Sequence, residues 1–133
     1  QSRGLGDVYK RQNHYNAIPA VNNAPVSRQE VLTHNFFEML FQQKGTMRNV
    51  GFYAEKLCIT SKYLTTAVKK TTGQSMQLWI NEATIIEAKR FLRNTHLSIQ
   101  EISERMNFQT SSSFVRFFRQ HTGHTPLEYR KKE

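Results

Sequence analysis

Residues 98–123 read SIQEISERMNFQTSSSFVRFFRQHTG, and the fold follows from this stretch. Ser98 and Glu101 have the spacing of a capping box, which predicts the start of a short helix. A tight turn then leads to a longer predicted helix over about residues 111–122, which Gly123 ends. The stretch therefore predicts a short helix, a turn, a longer helix and a glycine stop.

The same layout occurs once before in the chain. The two copies match at an offset of 49 residues before the turn and 50 after it, so the second copy carries one extra turn residue. A helix-turn-helix has this layout, and its second helix enters the DNA major groove. A plain helical bundle would explain the apolar matches, but not the polar faces described below. The matched pairs are Ala54 with Ser103, Leu57 with Met106, Ile59 with Phe108, Leu64 with Phe114, Val68 with Phe118, Gly73 with Gly123 and Trp79 with Tyr129.

Cap and stop residues predict the remaining helices. Ser27 and Glu30 form a second capping-box pattern, which opens a helix that runs to about Gln43 and ends at Lys44 and Gly45. Further helix starts are expected at Asn49, Thr60, Ser75 and Thr125. The helix from Ser75 is long and amphipathic, reaches about Asn94, and is expected to bury Leu78, Trp79, Ile80, Ile85, Ile86, Ala88, Phe91 and Leu92.

The predicted fold class is all-α, with two helix-turn-helix subdomains joined by a long central helix and preceded by a linker helix. No sustained alternation of apolar and polar residues predicts a strand. The double helix-turn-helix domain is expected over residues 48–132, and the linker helix over 28–44. Phe37 and Phe41 widen the apolar stripe of that linker helix, so we expect it to come from a missing N-terminal domain and to touch it.

The first segments of the chain are set apart by their composition. Residues 1–12 contain DVYKRQ and lack apolar periodicity, and we interpret them as a non-native scar from sequencing-library preparation. The alternative is an ordinary disordered terminus. Residues 13–27 combine prolines, asparagines and small residues, which is typical of a linker.

The composition favours a polyanionic partner. Nineteen Lys and Arg residues against ten Asp and Glu give a net charge of +9, which suits nucleic acid or an anionic membrane surface. No apolar run is long enough to span a bilayer, and no secretion signal is visible. The single cysteine, Cys58, excludes an internal disulfide and suits a reducing cytoplasm. It lies in a turn, where we expect a small buried hydrophobe rather than a nucleophile.

Neither of the two longer helix-turn-helix helices carries an acid on its predicted outer face. A solvated face normally mixes both signs of charge, whereas an acid-free face suits phosphates and base edges. The outer residues are Ser61, Lys62, Thr65, Thr66, Lys69 and Lys70 in the first copy, and Thr110, Ser111, Ser112, Val115, Arg116 and Arg119 in the second.

The segments FYAEKLCITSKYL, SIQEISERMNF, SSSFVRFFR and HTGHTPLEYR resemble the C-terminal domain of AraC-type transcription regulators. The likeness covers roughly residues 48–132. It implies a homeodomain-like fold whose two subdomains bind adjacent major-groove segments on one face of double-stranded DNA. It also implies a bacterial regulator of the cytoplasm and nucleoid, with an N-terminal sensor or dimerisation domain and with RNA polymerase as a partner during activation.

Arg116 is the residue that we most expect to contact a base. It lies in the exposed middle of a candidate recognition helix, where the resemblance also implies a base-reading arginine, and arginine can bond guanine O6 and N7 together. Ser111, Ser112 and Val115 share its face, and the valine is suited to a thymine methyl group.

The first copy departs from the family pattern, because Thr65 and Thr66 stand where relatives often have a long side chain. Lys62 is still expected to reach a base. The predicted phosphate contacts, which set register without reading sequence, are Lys69, Lys70, Arg119 and Arg48. The tail at residues 130–132 is expected to be frayed and solvated.

The residues bear unequally on three other classes of function. For an enzyme, no catalytic constellation is visible, and no metal site or cofactor is predicted, since Gly123 should separate His121 from His124. For a membrane-surface protein, the aromatic residues are spread over several short helices at core positions. A protein-interaction module is harder to exclude, because the helix with Phe37 and Phe41 would serve it.

Overall fold

The computed structural model describes residues 26–132. The predicted scar at 1–12 and nearly all of the predicted linker at 13–27 therefore lie outside the described residues. Within the described range the chain forms helices and no strand, which confirms the predicted all-α class. The helices are α1 (Arg28–Gln43), α2 (Val50–Lys56), α3 (Ser61–Thr72), α4 (Met76–Asn94), α5 (Ile99–Arg105), α6 (Ser111–Thr122) and α7 (Pro126–Lys131).

Each of these helices begins at a side-chain cap, because a cap oxygen satisfies a backbone N–H that the first turn leaves without a partner. Capping boxes form at Ser27 with Glu30 and at Ser98 with Glu101, as predicted. The other predicted caps are also confirmed, and one cap that the pattern did not single out precedes α6. These caps are Asn49, Thr60, Ser75 and Thr125, and the additional one is Thr110.

The first hydrophobic core lies between α1, α2, α3 and the first half of α4. Phe37 is 1 % exposed in this core, and its ring meets Trp79 edge-on with centroids 5.5 Å apart. Phe37 therefore does not widen the exposed stripe as expected, because the indole of α4 covers it, while a contact between α1 and a preceding domain stays a prediction. Phe41 is 64 % exposed and Val31 is 44 % exposed, so part of the apolar surface of α1 lies outside this core.

The second core lies between the second half of α4 and the helices α5, α6 and α7. Phe114 and Phe118 are completely buried, and Tyr129 of α7 packs edge-on against Phe118 at 5.6 Å between ring centroids. The two units of the fold, α2–α3 and α5–α6, therefore each have their own core.

Helix α4 belongs to both cores but presents a different face to each. Ala83 packs in the first core and Ala88 in the second. Five residues of an α-helix are about 1.4 turns, so the two side chains point in directions roughly 140° apart around the helix axis. The predicted buried set included most of the apolar residues of the helix, whereas each core buries only the face turned toward it. Leu78 is 40 % exposed, Ile85, Ile86 and Phe91 are half-buried, and Met76, Ala83 and Thr84 are buried instead.

Candidate nucleic-acid interface

The two units have turns of the same backbone geometry. Cys58 and Asn107, 49 positions apart, both adopt the left-handed conformation, with φ of 59° and 63°. Ile59 N–H donates to Ala54 C=O at 3.1 Å, and at the matched positions Phe108 N–H donates to Ser103 C=O at 2.9 Å. The predicted repeat is therefore a structural repeat. Cys58 is exposed, which corrects the expectation that it is buried, since it occupies the outward corner of its turn.

The helices that follow the turns, α3 and α6, begin and end alike. Thr60 and Thr110 cap their starts, and the extra residue of the second copy lies between Phe108 and Thr110. Gly73 and Gly123 end them with φ of 81° and 85°, a backbone region that glycine enters without the steric cost of a Cβ. We call α3 and α6 the recognition helices.

Buried side chains fix which face each recognition helix turns outward. Leu64 and Val68 anchor α3, and Phe114 and Phe118 anchor α6; all four side chains are completely buried. Because these anchors lie four residues apart on each helix, they hold the rotation of the helix about its axis. The opposite faces are consequently presented to the exterior in a fixed register.

The outer face of α6 gathers the predicted base-reading residues. Ser112, Arg116 and Arg119 are exposed, while Ser111 and Val115 are half-buried beside them. Together with one further polar side chain they line a shallow depression, whose residues are Ser111, Ser112, Val115, Arg116, Arg119 and Gln120. Sequence reasoning did not single out Gln120, although it follows Arg116 by one helical turn.

The outer face of α3 is cationic and hydroxylated. Lys62, Thr66, Lys69 and Lys70 are exposed. Thr65 is half-buried, and its hydroxyl donates to Lys62 C=O at 3.0 Å, which leaves the methyl group as its more available surface. Neither α3 nor α6 contains an acidic residue anywhere along its length.

Arg48, a predicted phosphate contact, makes contacts within the protein that the sequence did not predict. Its guanidinium donates to Met106 C=O at 2.6 Å and to Asn107 C=O at 2.8 Å, and lies over the Phe108 ring at 3.8 Å from the centroid. Desolvation in this position lowers the pKa of Arg48, although burial is incomplete and the group keeps its charge. Both terminal nitrogens of the guanidinium are therefore engaged inside the protein, while the phosphate contact itself stays a prediction.

Tyr53 shows the burial of the neighbouring first core. Its hydroxyl donates to Met47 C=O at 2.7 Å, and its side chain is completely buried. Desolvation raises the pKa of Tyr53 to about 12, and the nearby charge of Arg48 opposes this rise. The tyrosine is thus a neutral structural donor at physiological pH and not a reactive group.

Arg130 is not part of a frayed tail, contrary to expectation. It donates to the carbonyl oxygens of Leu92 at 3.0 Å, Leu97 at 2.8 Å and Thr95 at 3.2 Å. These carbonyls lie at and just after the end of α4, where a helix leaves acceptors without partners. No local signal in residues 130–132 points to this contact, because the acceptors are more than thirty positions away.

Residues 26–132 show no arrangement typical of a metal site or a membrane span. No group of three or more histidine, cysteine, aspartate or glutamate side chains lies close enough together there to hold a metal ion. His121 is tied to Phe117 C=O through Nδ1 at 2.8 Å, while His124 lies beyond the Gly123 stop, beside Glu128. None of the helices in this range combines the length and apolar character that crossing a membrane requires.

Comparison with known sequences matches the family described as "Helix-turn-helix domain" to residues 53–132. The Msm operon regulatory protein of Streptococcus mutans is 30 % identical over 95 residues, which are 71 % of this chain and 34 % of that protein. The regulator YobQ of Bacillus subtilis is 40 % identical over 68 residues, 51 % of this chain and 28 % of that protein. The chain thus spans about a third or less of the length of these relatives.

Comparison with solved structures finds the same arrangement of helices. The C-terminal domain of AraT, a response regulator from Geobacillus stearothermophilus, superposes with a TM-score of 0.72 at 24 % identity, covering 80 % of this chain and 89 % of that one. The DNA-binding domain of AdpA, solved in complex with a target DNA, superposes with a TM-score of 0.66 at 18 % identity, covering 75 % and 90 %. Both of these structures share the fold of this chain.

Proposed function

The chain belongs to the AraC-type family of helix-turn-helix transcription regulators and is a DNA-binding domain of that family, and on this premise we propose how it binds. Recognition helices α3 and α6 enter successive major grooves on one face of double-stranded DNA. Helix α4 sets the distance between them. Binding is specific for sequence, and the two units contribute unequally to it.

The observation that carries this proposal is the pair of acid-free outer faces, held in register by matched anchors and matched turns. Phosphates attract cationic side chains, and a helix that reads bases must carry donors and methyl groups on the same face. The faces of α3 and α6 have both properties. A plain helical bundle has no need to repeat them.

The second unit supplies most of the base reading. Arg116 is exposed in the middle of α6, where its guanidinium is free to pair with guanine O6 and N7. Ser111 and Ser112 offer hydroxyl groups on the same side, and Val115 offers a methyl surface for thymine. Arg119, at the far end of the depression, contacts a phosphate.

The first unit supplies more of the phosphate contacts, which add affinity without reading sequence. Lys69 and Lys70 contact phosphates near the end of α3, while Lys62 near its start reaches toward a base. Thr65 and Thr66 present short side chains, so their reading is restricted to close contacts such as thymine methyl groups. This division follows from side-chain length and charge.

The remaining parts of the proposal concern the whole regulator. We infer that it acts in the cytoplasm at the nucleoid, carries a sensor or dimerisation domain before α1, contacts RNA polymerase when it activates, and is not an enzyme. Support comes from the relatives, which are regulators about three times as long as the part they share with this chain or longer. The exposed Phe41 on α1 is a suitable contact for such a preceding domain.

The direct test is equilibrium binding by fluorescence anisotropy, with a site selected from random DNA and a scrambled duplex of equal length. The selected site is expected to bind at least ~10³-fold more tightly at physiological salt. For both duplexes the logarithm of the binding constant should fall linearly with the logarithm of the salt concentration. The slope should be about −0.9 for each phosphate that the protein neutralises. Equal affinity for the two duplexes would contradict sequence-specific binding, and salt-insensitive binding would contradict the phosphate contacts.

A further inference from the structure

Arg48 lies at the junction between the two units. It directly precedes Asn49, the cap of α2, and its guanidinium reaches the turn that leads into recognition helix α6. Hydrogen bonds to two successive carbonyls fix the plane of the guanidinium, and the Phe108 ring beneath it covers one face. The start of the first unit is thereby attached to the turn of the second.

The attachment is reciprocal. The Asn107 side-chain amide donates back to Thr46 C=O at 3.1 Å, so the two segments hold each other through donors from both sides. The segment before α2 is also fixed to the central helix, because the buried Thr84 hydroxyl donates to Gly45 C=O at 3.0 Å. Gly45, Arg48, Asn107 and α4 therefore form one connected junction.

This junction restrains a motion that the fold would otherwise permit. The two cores meet along a single helix, and subdomains with a small shared interface generally move relative to one another. A twist or bend of α4 would change the angle between α3 and α6. Arg48 opposes it, because a planar guanidinium that donates to two fixed carbonyls tolerates little rotation.

We propose that Arg48 is a positioning residue that fixes the spacing and angle of the two recognition helices, and so makes the protein selective for one separation of its two DNA half-sites. The proposal rests on the proposed two-groove binding. Arg48 itself touches no DNA in this account. Its effect reaches DNA through the turn at Met106 and Asn107, which aims α6.

The test compares Arg48→Gln with the wild-type chain on duplexes in which the two half-sites of the selected site are one or two base pairs closer or farther apart. Each added base pair rotates one half-site by about 34–36° around the DNA axis. The wild type should lose ~10-fold or more in affinity for a one-base-pair change, similar to the loss from a mismatched base pair. Arg48→Gln should bind the best duplex more weakly and show a flattened profile across the separations.

Two further variants serve as controls. Arg28→Gln removes the same charge from an exposed position at the start of α1 and should keep the wild-type profile, which separates positioning from charge. Asn107→Gly removes the reciprocal donor while keeping a residue suited to positive φ, and should flatten the profile as well. If Arg48→Gln does not fold, as judged by circular dichroism, Asn107→Gly takes its place in the test.

A measurement without DNA separates this proposal from the proposed function. Spin labels attached after Lys62→Cys and Ser112→Cys, in a Cys58→Ser background, report the distance between α3 and α6 by pulsed electron paramagnetic resonance. Arg48→Gln should broaden the distance distribution. An unchanged profile and an unchanged width would overturn the proposal. If the wild type shows no preference for separation, two-groove binding fails, and the width alone then decides whether Arg48 fixes the two helices.

Discussion

At the scale of single residues, the two arginines at positions 48 and 116 show how position decides what a charge does. Both carry the same guanidinium. Arg48 donates hydrogen bonds to the carbonyls of Met106 and Asn107, whereas Arg116 lies exposed on the outer face of α6. The guanidinium of Arg116 is therefore the more accessible of the two to a ligand. A basic residue in a basic protein is thus not a DNA contact by default.

Replacing Arg116 with alanine should reduce affinity for the selected site by ~1–3 kcal/mol and relax the preference at one base position, since a bidentate contact to guanine is lost. Affinity measured for a set of duplexes with single base changes tests this. Arg105→Ala, which removes an exposed cation at the end of α5, is the matched control for charge. Equal losses on selected and scrambled DNA would contradict base reading by Arg116.

Replacing Lys69 with alanine should weaken binding to all sequences about equally, because a phosphate contact carries no sequence information. The slope of log affinity against log salt should become less steep by ~1. A salt titration on both selected and scrambled duplexes measures this slope. A loss confined to the selected site would assign Lys69 to base reading instead.

At the scale of helices and turns, the sequence predicts what is local and misses what is distant. The caps at Ser27 and Ser98 and the stops at Gly73 and Gly123 are correctly predicted because each depends on residues within one turn. The protein contacts of Arg48 and Arg130 are missed by the prediction because the acceptors lie more than thirty positions away.

The same reasoning applies to burial and to the site. The outer face of α6 is predicted well, since a single helix with one apolar stripe has one opposite face. Leu78 of α4 is wrongly expected to be buried, because two cores share that helix at different angles. Phe37 is misassigned since its partner, Trp79, belongs to another helix. The roles of the exposed residues toward DNA stay predictions.

Gly45 should be far less tolerant of alanine than Gly123, although both have positive φ, at 77° and 85°. A Cβ at Gly45 would lie 2.6 Å from the Thr84 Cα atom, whereas nothing lies within 4 Å of one at Gly123. Gly123→Ala should therefore lower the free energy of unfolding by ~1–2 kcal/mol, because a residue with a Cβ is strained in the left-handed conformation. Gly45→Ala should lower it clearly more. Urea denaturation measures both changes, and equal free energies of unfolding for the two variants would contradict the close approach of Gly45 to Thr84.

Arg130 should contribute to stability as the cap of α4. Arg130→Ala is expected to lower the free energy of unfolding by ~1.5–3 kcal/mol, the range for hydrogen bonds to a charged group, since three carbonyls lose their donor. Urea denaturation measures the change. Lys131→Ala, at an exposed neighbouring position, should have little effect. Similar losses for both variants would contradict the capping role.

At the scale of the whole molecule, the length of α4 relates the protein to the shape of its DNA. Its 19 residues span ~28 Å at the rise of an α-helix, while successive major grooves on one face repeat every ~34 Å. If α4 approximates the separation of α3 and α6, straight DNA fits poorly. The junction at Arg48 limits how far the protein can adapt, so the DNA must adapt instead.

We therefore predict that the DNA bends toward the protein. Fragments of equal length, with the selected site at the middle or near an end, should migrate differently in a gel when the protein is bound, because a central bend retards migration most. Deformation of this kind depends on sequence and adds to specificity. Equal mobility of all the fragments would contradict the bend and would favour a wider separation of the recognition helices.

The central claim is that two matched units lie side by side in successive major grooves, and phosphate ethylation interference on the selected site tests it most directly. The method finds phosphate contacts whatever bases lie between them. We predict two clusters of interfering phosphates on one face of the duplex, with centres ~10 base pairs apart, one for each recognition helix. A single cluster, or two clusters on opposite faces, would contradict the account.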